Sequence, residues 1–500
     1  MMRTAALGLI LLACCAGGDS DPDPDQVSSP SPPAWTRPAA FAGQFYPGGA
    51  DELAVAVDGY LAMTDAEVGE GRIISAVVPH AGYRFSAPAA AEVYAALSGD
   101  SLDLVYILAP AHSYPLRGIS VLDADSCATP LGSVPVARAA ARRLAEAHPA
   151  AELGRDPHVR EHSIEVQLPF LKRVLPGDFS VVPVLIGGCP TDDLAFLAEL
   201  MYAEGADRRV LVLASSDLSH YPTAEVAETV DSGTVESYLE GDPEEFASFT
   251  AGASRPGVST LACGRLPMTA ALYYNRLHRG WSSRLLELSN SADRGGDPGR
   301  TVGYAAIVTT VPPGDSGDEI SAQTRQRLCE MARAELERAA ADEPPGEYEP
   351  ADPELQLPRG AFVTYRRGGE LRGCIGSIRP VQPLGEAVAR MARQAADEDP
   401  RFPPISRDEL EEIRLEISVL SPLRLVEDTS QVEVGEDGLY LIQGGRSGVL
   451  LPQVPVEQGW DRREYVRNLA MKAGLPPDGY DPDRALLFRF GAQVFSPGAQ

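Results

Sequence analysis

From about Phe41 to Val311 the chain alternates short apolar runs with longer stretches in which apolar residues recur every three or four positions. The runs, bounded by Gly and Pro, predict strands buried on both faces, and the longer recurrence predicts amphipathic helices. Strands are expected over Ile73–Val78, Leu102–Leu108, Phe179–Ile186, Val210–Ala214 and Val302–Val308, and helices over Pro88–Leu97, Val136–His148, Thr191–Glu204 and Ala224–Glu240. Strands separated by helices form βαβ units, so the expected fold is α/β, a mainly parallel sheet flanked by helices. PPGDSGDE at 312–319 then breaks the pattern and reads as a linker over 312–320. Beyond it Ser321–Ala341 is a strongly amphipathic helix. AFVTYRRGGELRGCIG reads as a hairpin turning at Gly368 and Gly369. Gln382–Asp397 is helical, Ile413–Leu420 extended, and GLYLIQGGRSGVLL at 438–451 a second hairpin. Residues 321–500 are therefore expected to form a smaller α+β domain.

Charge narrows the choice of partner. The net charge is −28, from 43 basic and 71 acidic residues. Such a surface repels phosphate backbones and argues against nucleic acid. The first residues read as a processing signal. One arginine precedes the nine-residue apolar run AALGLILLA, too short to span a membrane. Leu11-Leu12-Ala13-Cys14 resembles a bacterial lipobox, which implies cleavage before Cys14 and its lipidation; an ordinary secretory signal is the alternative. Residues 1–14 are thus the expected signal, and the Gly/Asp/Ser/Pro-rich stretch 15–35 a tether that cannot form a core. Together they place the chain on the bacterial cell envelope, lipid-anchored, facing the periplasm or the exterior. Seven cysteines are present, two of them, Cys14 and Cys15, at the signal's end. Cys127, Cys189, Cys263, Cys329 and Cys374 are odd in number and widely spaced, so no disulfide framework is expected.

The chemistry gathers at strand ends. VVPHAGY drives an apolar run into His80 and a turn, and LVYILAPAHSY does the same at His112. VLVLASSDLSHY ends in Ser215, Ser216, Asp217 and His220. A lone histidine after a strand is usually structural. Three such strands point to a shared site, because ligands bind beyond the carboxyl ends of parallel strands. In TLACGRLPMTAALYY, Cys263 stands before a helix-like stretch, where a helix N-terminus favours the thiolate; a small buried cysteine is the plainer alternative. REHSIEVQLPFL places His162 and Glu165 one helical turn apart. In LRGCIGSIRP, Cys374 lies between Gly373 and Gly376, with Arg372 two residues before it as a guanidinium to stabilise its thiolate, or it is simply a buried strand cysteine.

With RPAAFAGQFYP, VPHAGYRFS, APAHS, TPLG, EHSIEVQLPFL, SSDLSHY, CGRLP and VGYAAI, residues 36–311 resemble the Memo family, which is similar in structure to class III extradiol dioxygenases. The resemblance implies that His80, His112 and Cys263 hold a metal, and that Asp217, His220 and His162 line the same pocket. RGAFVTY, LRGCIGSIRP, DEDPRFPPIS, LEISVLSPL and GVLLPQVPVEQGWDRREYVRNLAMKAGLP resemble the AMMECR-type domain over about 320–498. The two families belong to the AmmeMemoRadiSam set, so the chain looks like its proteins B and A in fusion. That implies a radical-SAM enzyme as partner, at odds with an export signal.

Two imidazoles and a thiolate suit iron or copper, with zinc as competitor, and leave positions open for oxygen or substrate. A cysteine in place of the usual carboxylate argues against ordinary ring cleavage. Asp217 could supply an oxygen ligand or orient a histidine, and His220 or His162 could move protons, with Cys374 as a further catalytic candidate. The leading expectation is a metal-dependent oxidoreductase on a small or aromatic substrate. The alternatives are a non-catalytic metal- or peptide-binding scaffold, and a covalent enzyme with Cys263 as nucleophile. The resemblance also carries an association with phosphorylated peptides, which the net charge disfavours.

Overall fold

The computed structural model describes residues 34–497 apart from 65–67, 70, 206–207, 253–256, 314–318, 349–351, 381 and 483. The expected signal, Cys14, most of the tether and the middle of the linker lie outside the described residues. Among the described residues no helix is long and apolar enough to cross a membrane.

The main sheet has eight strands in the order Ser282–Asn290, Gly303–Val311, Arg72–Val78, Val210–Ser215, Leu104–Pro110, Ser180–Ile186, Ile119–Leu122 and Ala151–Gly154. Its four middle strands, Arg72–Val78 to Ser180–Ile186, are parallel. They bury nearly every residue, as expected where helices cover both faces. Antiparallel neighbours flank them: Gly303–Val311 on one side and Ile119–Leu122 on the other. The sheet is therefore mixed, with the parallel part at its centre. Helices pack against it, among them Ala224–Glu240 and Arg265–Arg276, and Thr191–Glu204 packs in turn on Arg265–Arg276. The helix expected from Pro88 begins earlier, at Tyr83. Tertiary bonds fix that start: Tyr83 donates its hydroxyl to Val166 O at 2.7 Å, and Ser86 Oγ donates to Ala81 O at 2.7 Å.

The remaining strands form smaller sheets. One four-stranded sheet runs Glu370–Ser377, Ala361–Arg367, Ile413–Leu420 and Ala492–Phe495. The first hairpin turns at Gly368 and Gly369 with φ of +60° and +90°, a region only glycine enters freely. The helix Leu384–Asp397 covers one face, so closely that a Cβ at Gly373 would lie 2.1 Å from Ala395 O. Another sheet runs Arg424–Leu425, Leu486–Phe490, Gly438–Gln443 and Arg446–Leu450, with the second hairpin turning at Gly444 and Gly445.

The chain divides into two compact units; the break after Ile320 falls at the end of the expected linker, whereas those after Leu420 and Gln493 were not marked by the sequence. One is Trp35–Ile320 with Ser421–Gln493; the other holds Ser321–Leu420 and Val494–Gln500. Within the first unit, Leu425, Leu486 and Phe488 line one small cavity together with Tyr106, Leu144 and Leu200, all buried. Arg208 also pairs with Glu427. These contacts join residues 421–493 to the main sheet's unit rather than to the rest of the second module.

Candidate metal centre

The Arg72–Val78, Val210–Ser215 and Leu104–Pro110 strands are consecutive in the sheet. Val78 and Ser215 are register partners, and Ser216 N donates to Val78 O at 2.9 Å, so the loops leave the sheet level with each other. Cys263 arrives from a fourth segment, tied by its N–H to Asp217 O at 3.2 Å. The helix Arg265–Arg276 follows, and Gly264 is seated so tightly that a Cβ would meet Ser215 O at 2.5 Å.

These segments bring His80, His112 and Cys263 together. Cys263 Sγ lies 3.2 Å from His80 Nε2, and the donor atoms of all three lie within 4.8 Å of one another. The rings of His80 and His112 are 5.1 Å apart at 76°. His80 is buried, while the His112 side chain keeps 32% of its surface open to solvent.

Hydrogen bonding fixes how His80 presents itself. Ser215 Oγ donates its single hydrogen to Ser163 O at 2.7 Å. It therefore accepts the other two bonds, from Gln167 Nε2 and from His80 Nδ1, each at 2.9 Å. The Gln167 amide is itself oriented, because its Oε1 accepts from Tyr94 and its Nε2 donates to Pro79 O. His80 is thus protonated on Nδ1 and turns a bare Nε2 lone pair toward Cys263. Burial holds its basicity well below the ordinary imidazole value, reinforced by His112, His162 and His220. That is the neutral form a metal requires.

The helix N-terminus does not acidify Cys263 as the sequence led us to expect. Close surroundings push the thiol up, and the Asp217 carboxylate adds to the effect, outweighing the local hydrogen bonds. A thiol in this setting ionises only when a cation compensates it, which fits a metal ligand and argues against an unaided nucleophile. Two oriented imidazoles and such a thiol are together a donor set that fits a soft or borderline transition ion.

The other expected residues take different places. Asp217 is buried, and its Oδ1 accepts the N–H of His80 at 2.7 Å and of Ala81 at 3.2 Å. It pins the turn that carries His80 and stands outside the donor triplet. Burial raises its pKa against those bonds. His220 is half-buried; its Nδ1 donates to Leu218 O at 2.9 Å, and it too lies outside the triplet. His162 stacks on His112 with centroids 4.7 Å apart, and Phe45 lies 4.5 Å away on its ring. Burial lowers its pKa to about 4, partly offset by Glu161.

Glu165 is committed elsewhere than to the donor triplet. Its helix is only His162–Glu165, and the carboxylate turns inward to Arg37 Nη1 at 2.7 Å, Tyr46 OH at 2.7 Å and the N–H groups of Ala40 and Phe41. Its neighbour Glu161, which the sequence reading passed over, faces the site instead. Glu161 Oε2 accepts His112 N at 2.6 Å, and Oε1 accepts His112 Nδ1 and Ser163 N, each at 3.0 Å. Burial would raise its pKa, but these bonds win and hold it at about 2. The sequence signal available was an acidic residue capping a helix next to a histidine.

Cys374 belongs to the other compact unit. Thr364 Oγ1 donates to its sulfur at 3.3 Å, and its N–H donates to Asp399 at 2.9 Å. Arg372 does not serve it; that guanidinium forks onto Glu409 at 2.9 and 3.1 Å. Arg401 is the guanidinium nearby, donating to Cys374 O at 2.8 Å and gripping Asp399. All five described cysteines are free.

Residues 37–308 match the family model described as Memo-like protein. The chain belongs to the Memo family. Residues 329–495 match the AMMECR1 model, so this Memo-family chain carries an AMMECR1 domain behind its Memo-like one. A protein of Thermococcus onnurineus is 42% identical over 182 residues, 34% of this chain and 87% of that protein. Another, from Methanothermobacter thermautotrophicus, is 49% identical over 144 residues, 27% of this chain and 74% of that protein. The crystal structure of an uncharacterized protein from Pyrococcus horikoshii, 38% identical, covers 35% of this chain and 93% of its own, with a TM-score of 0.33. In the Memo-like domain the donor triplet comes from the PHAGY, PAHS and CGR motifs.

Proposed function

We propose that the Memo-like domain is a metal-dependent oxidoreductase acting on a small or aromatic substrate. Iron is the preferred ion, with copper and zinc as competitors. One observation carries the reading: Cys263 Sγ, His80 Nε2 and a donor atom of His112 lie within 4.8 Å of one another at the mouth of the parallel strands. His80, His112 and Cys263 would hold the ion, which would supply electron transfer and oxygen activation. Three protein donors leave coordination positions for a substrate. The protein's part is to fix the ligands, with Ser215 orienting His80 and Asp217 shaping its turn. His162, stacked on His112 and flanked by Phe41 and Phe45, gives the substrate side an aromatic wall.

Cys14 is proposed as the lipid anchor that holds the chain at the envelope, supported by the lipobox-like Leu11-Leu12-Ala13-Cys14. A radical-SAM partner is a weaker proposal, since such chemistry belongs to the cytosol.

The decisive experiment is elemental analysis of anaerobically purified full chain beside His80→Ala and Cys263→Ser, with oxygen uptake measured on the same samples. About one iron per chain, lost in both variants together with oxygen uptake, is expected. Metal retained in both variants overturns the ligand assignment. Stoichiometric metal without oxygen uptake favours the scaffold reading. Mass spectrometry of the N-terminal peptide from wild type and Cys14→Ala tests the anchor.

A further inference from the structure

We propose that Glu161 is the positioning residue of this centre: it fixes His112 as the Nδ1–H tautomer, so that this ring turns Nε2 into the pocket. The inference rests on the metal reading above for its purpose, but its geometry stands apart from it.

Glu161 is 1% exposed and holds His112 at two points. Oε2 accepts the backbone N–H at 2.6 Å, and Oε1 accepts the ring at 3.0 Å. His162 Nδ1 lies 3.3 Å from that same Oε1. An ionised carboxylate can only accept, so the ring atom facing it must carry the proton. A neutral imidazole has one N–H, and the opposite nitrogen is then a bare lone pair. Ser163 N adds a third donor at 3.0 Å, and Ser163 Oγ is tied to Pro110 O at 3.1 Å. The carboxylate is thereby locked to the end of the Leu104–Pro110 strand, from which His112 departs.

The donor atoms of His112, Glu161 and His162 also lie within 4.8 Å of one another, a spacing that could hold an ion of its own. The hydrogen bonds argue otherwise. The His112 Nδ1 that such an ion would need is donating to Glu161, and the backbone N–H of His112 occupies the other oxygen. The arrangement supports the triplet and is not a second centre. Ser215 performs the matching task for His80, with a hydroxyl in place of a carboxylate.

The test is nitrogen-15 NMR of the imidazoles in metal-free, full-length protein, paired with metal titration. Wild type should show His112 protonated on Nδ1. In Glu161→Gln the amide NH2 must face either the rings or the His112 N–H. The first choice forces the Nε2–H tautomer, and the second sets two donors against each other. We expect the Nδ1–H signature of His112 to be lost and metal affinity to fall about 10–100-fold. Glu161→Asp, still acceptor-only, should keep the tautomer and lose less affinity. An Nε2–H His112 in wild type overturns the inference, even if Glu161→Gln fails to fold. So does a folded Glu161→Gln with tautomer and affinity unchanged. Wild type that shows Nδ1–H but takes up no metal overturns the metal reading and leaves the positioning geometry standing.

Discussion

Cys263 and Cys374 are both half-buried thiols beside glycines, yet their surroundings are opposite in kind. Around Cys263 lone pairs prevail: the bare Nε2 of His80, a donor atom of His112 and a backbone carbonyl, with the Asp217 carboxylate near, outweigh the donors of Ser216 and Gly264. Around Cys374 stand donors, the Thr364 hydroxyl on its sulfur and the Arg401 guanidinium on its carbonyl. A ring of acceptors is incomplete until a cation enters it, whereas a thiol given donors is satisfied where it is. The contrast extends to whole regions. All seven histidines lie between residues 80 and 278, and residues 321–500 contain none. Imidazole chemistry in this chain is a property of the Memo-like domain alone.

The comparison can be broken most directly at the two thiols. Cys263→Ala should drop bound metal from about one ion per chain to under about a tenth, while Cys374→Ala leaves it unchanged; elemental analysis decides. Equal losses would make the two environments equivalent and end the contrast. The next largest effect concerns the frame behind the histidines. Arg37 and Glu165, 1% and 0% exposed, form a buried ion pair at 2.7 Å. Arg37→Ala leaves Glu165 without its partner and should cost about 3–5 kcal/mol in urea unfolding.

Acid response should also separate the regions. His158 is buried, with its Nδ1 unpartnered, and burial beside Arg37 lowers its pKa from 6.5 to about 3. As pH falls, the unfolded chain takes up this proton first. Its contribution is therefore complete above pH 6.5 and is lost as pH drops toward 3, at up to about 1.4 kcal/mol per unit. His158→Gln should flatten the slope of unfolding free energy between pH 6 and 4. An unchanged slope would assign that acid sensitivity elsewhere. The smallest effect is at the second thiol: Thr364→Val removes one donor and should cost about 0.5–1.5 kcal/mol, with no change in metal content.

Much of this was legible in the sequence because its signals were local. Thr191–Glu204 and Ala224–Glu240 show their ends in Pro190 and Gly205, and in Thr223 and Gly241. The central strands are legible because burial on both faces demands unbroken apolar runs. Ala151–Gly154 and Ser282–Asn290 were missed because flanking strands carry mixed, partly exposed residues that resemble loops. The motifs gave the donor triplet, but not which carboxylate serves it. Glu161 and Glu165 sit on either side of one short helix, and only tertiary partners decide that one faces His112 and the other Arg37. The thiol's resistance to ionisation was hidden for the same reason: a helix N-terminus is written in sequence, whereas burial and Asp217 beside it are not.

His80 and Cys263 touch across a separation of 183 residues. Loop closure over such a span adds little to stability, since each doubling of length costs only about 0.6 kcal/mol. In time the span is strict. Between the appearance of the two residues, synthesis at about 5–20 residues per second takes roughly 10–40 s. For that interval the chain carries histidines but no complete cage, and nothing in it can yet tell one ion from another. For the proposed ion, selection would wait until the Cys263 segment has closed on the strand-end loops, and the rate of ion capture would report when this half of the molecule finishes folding.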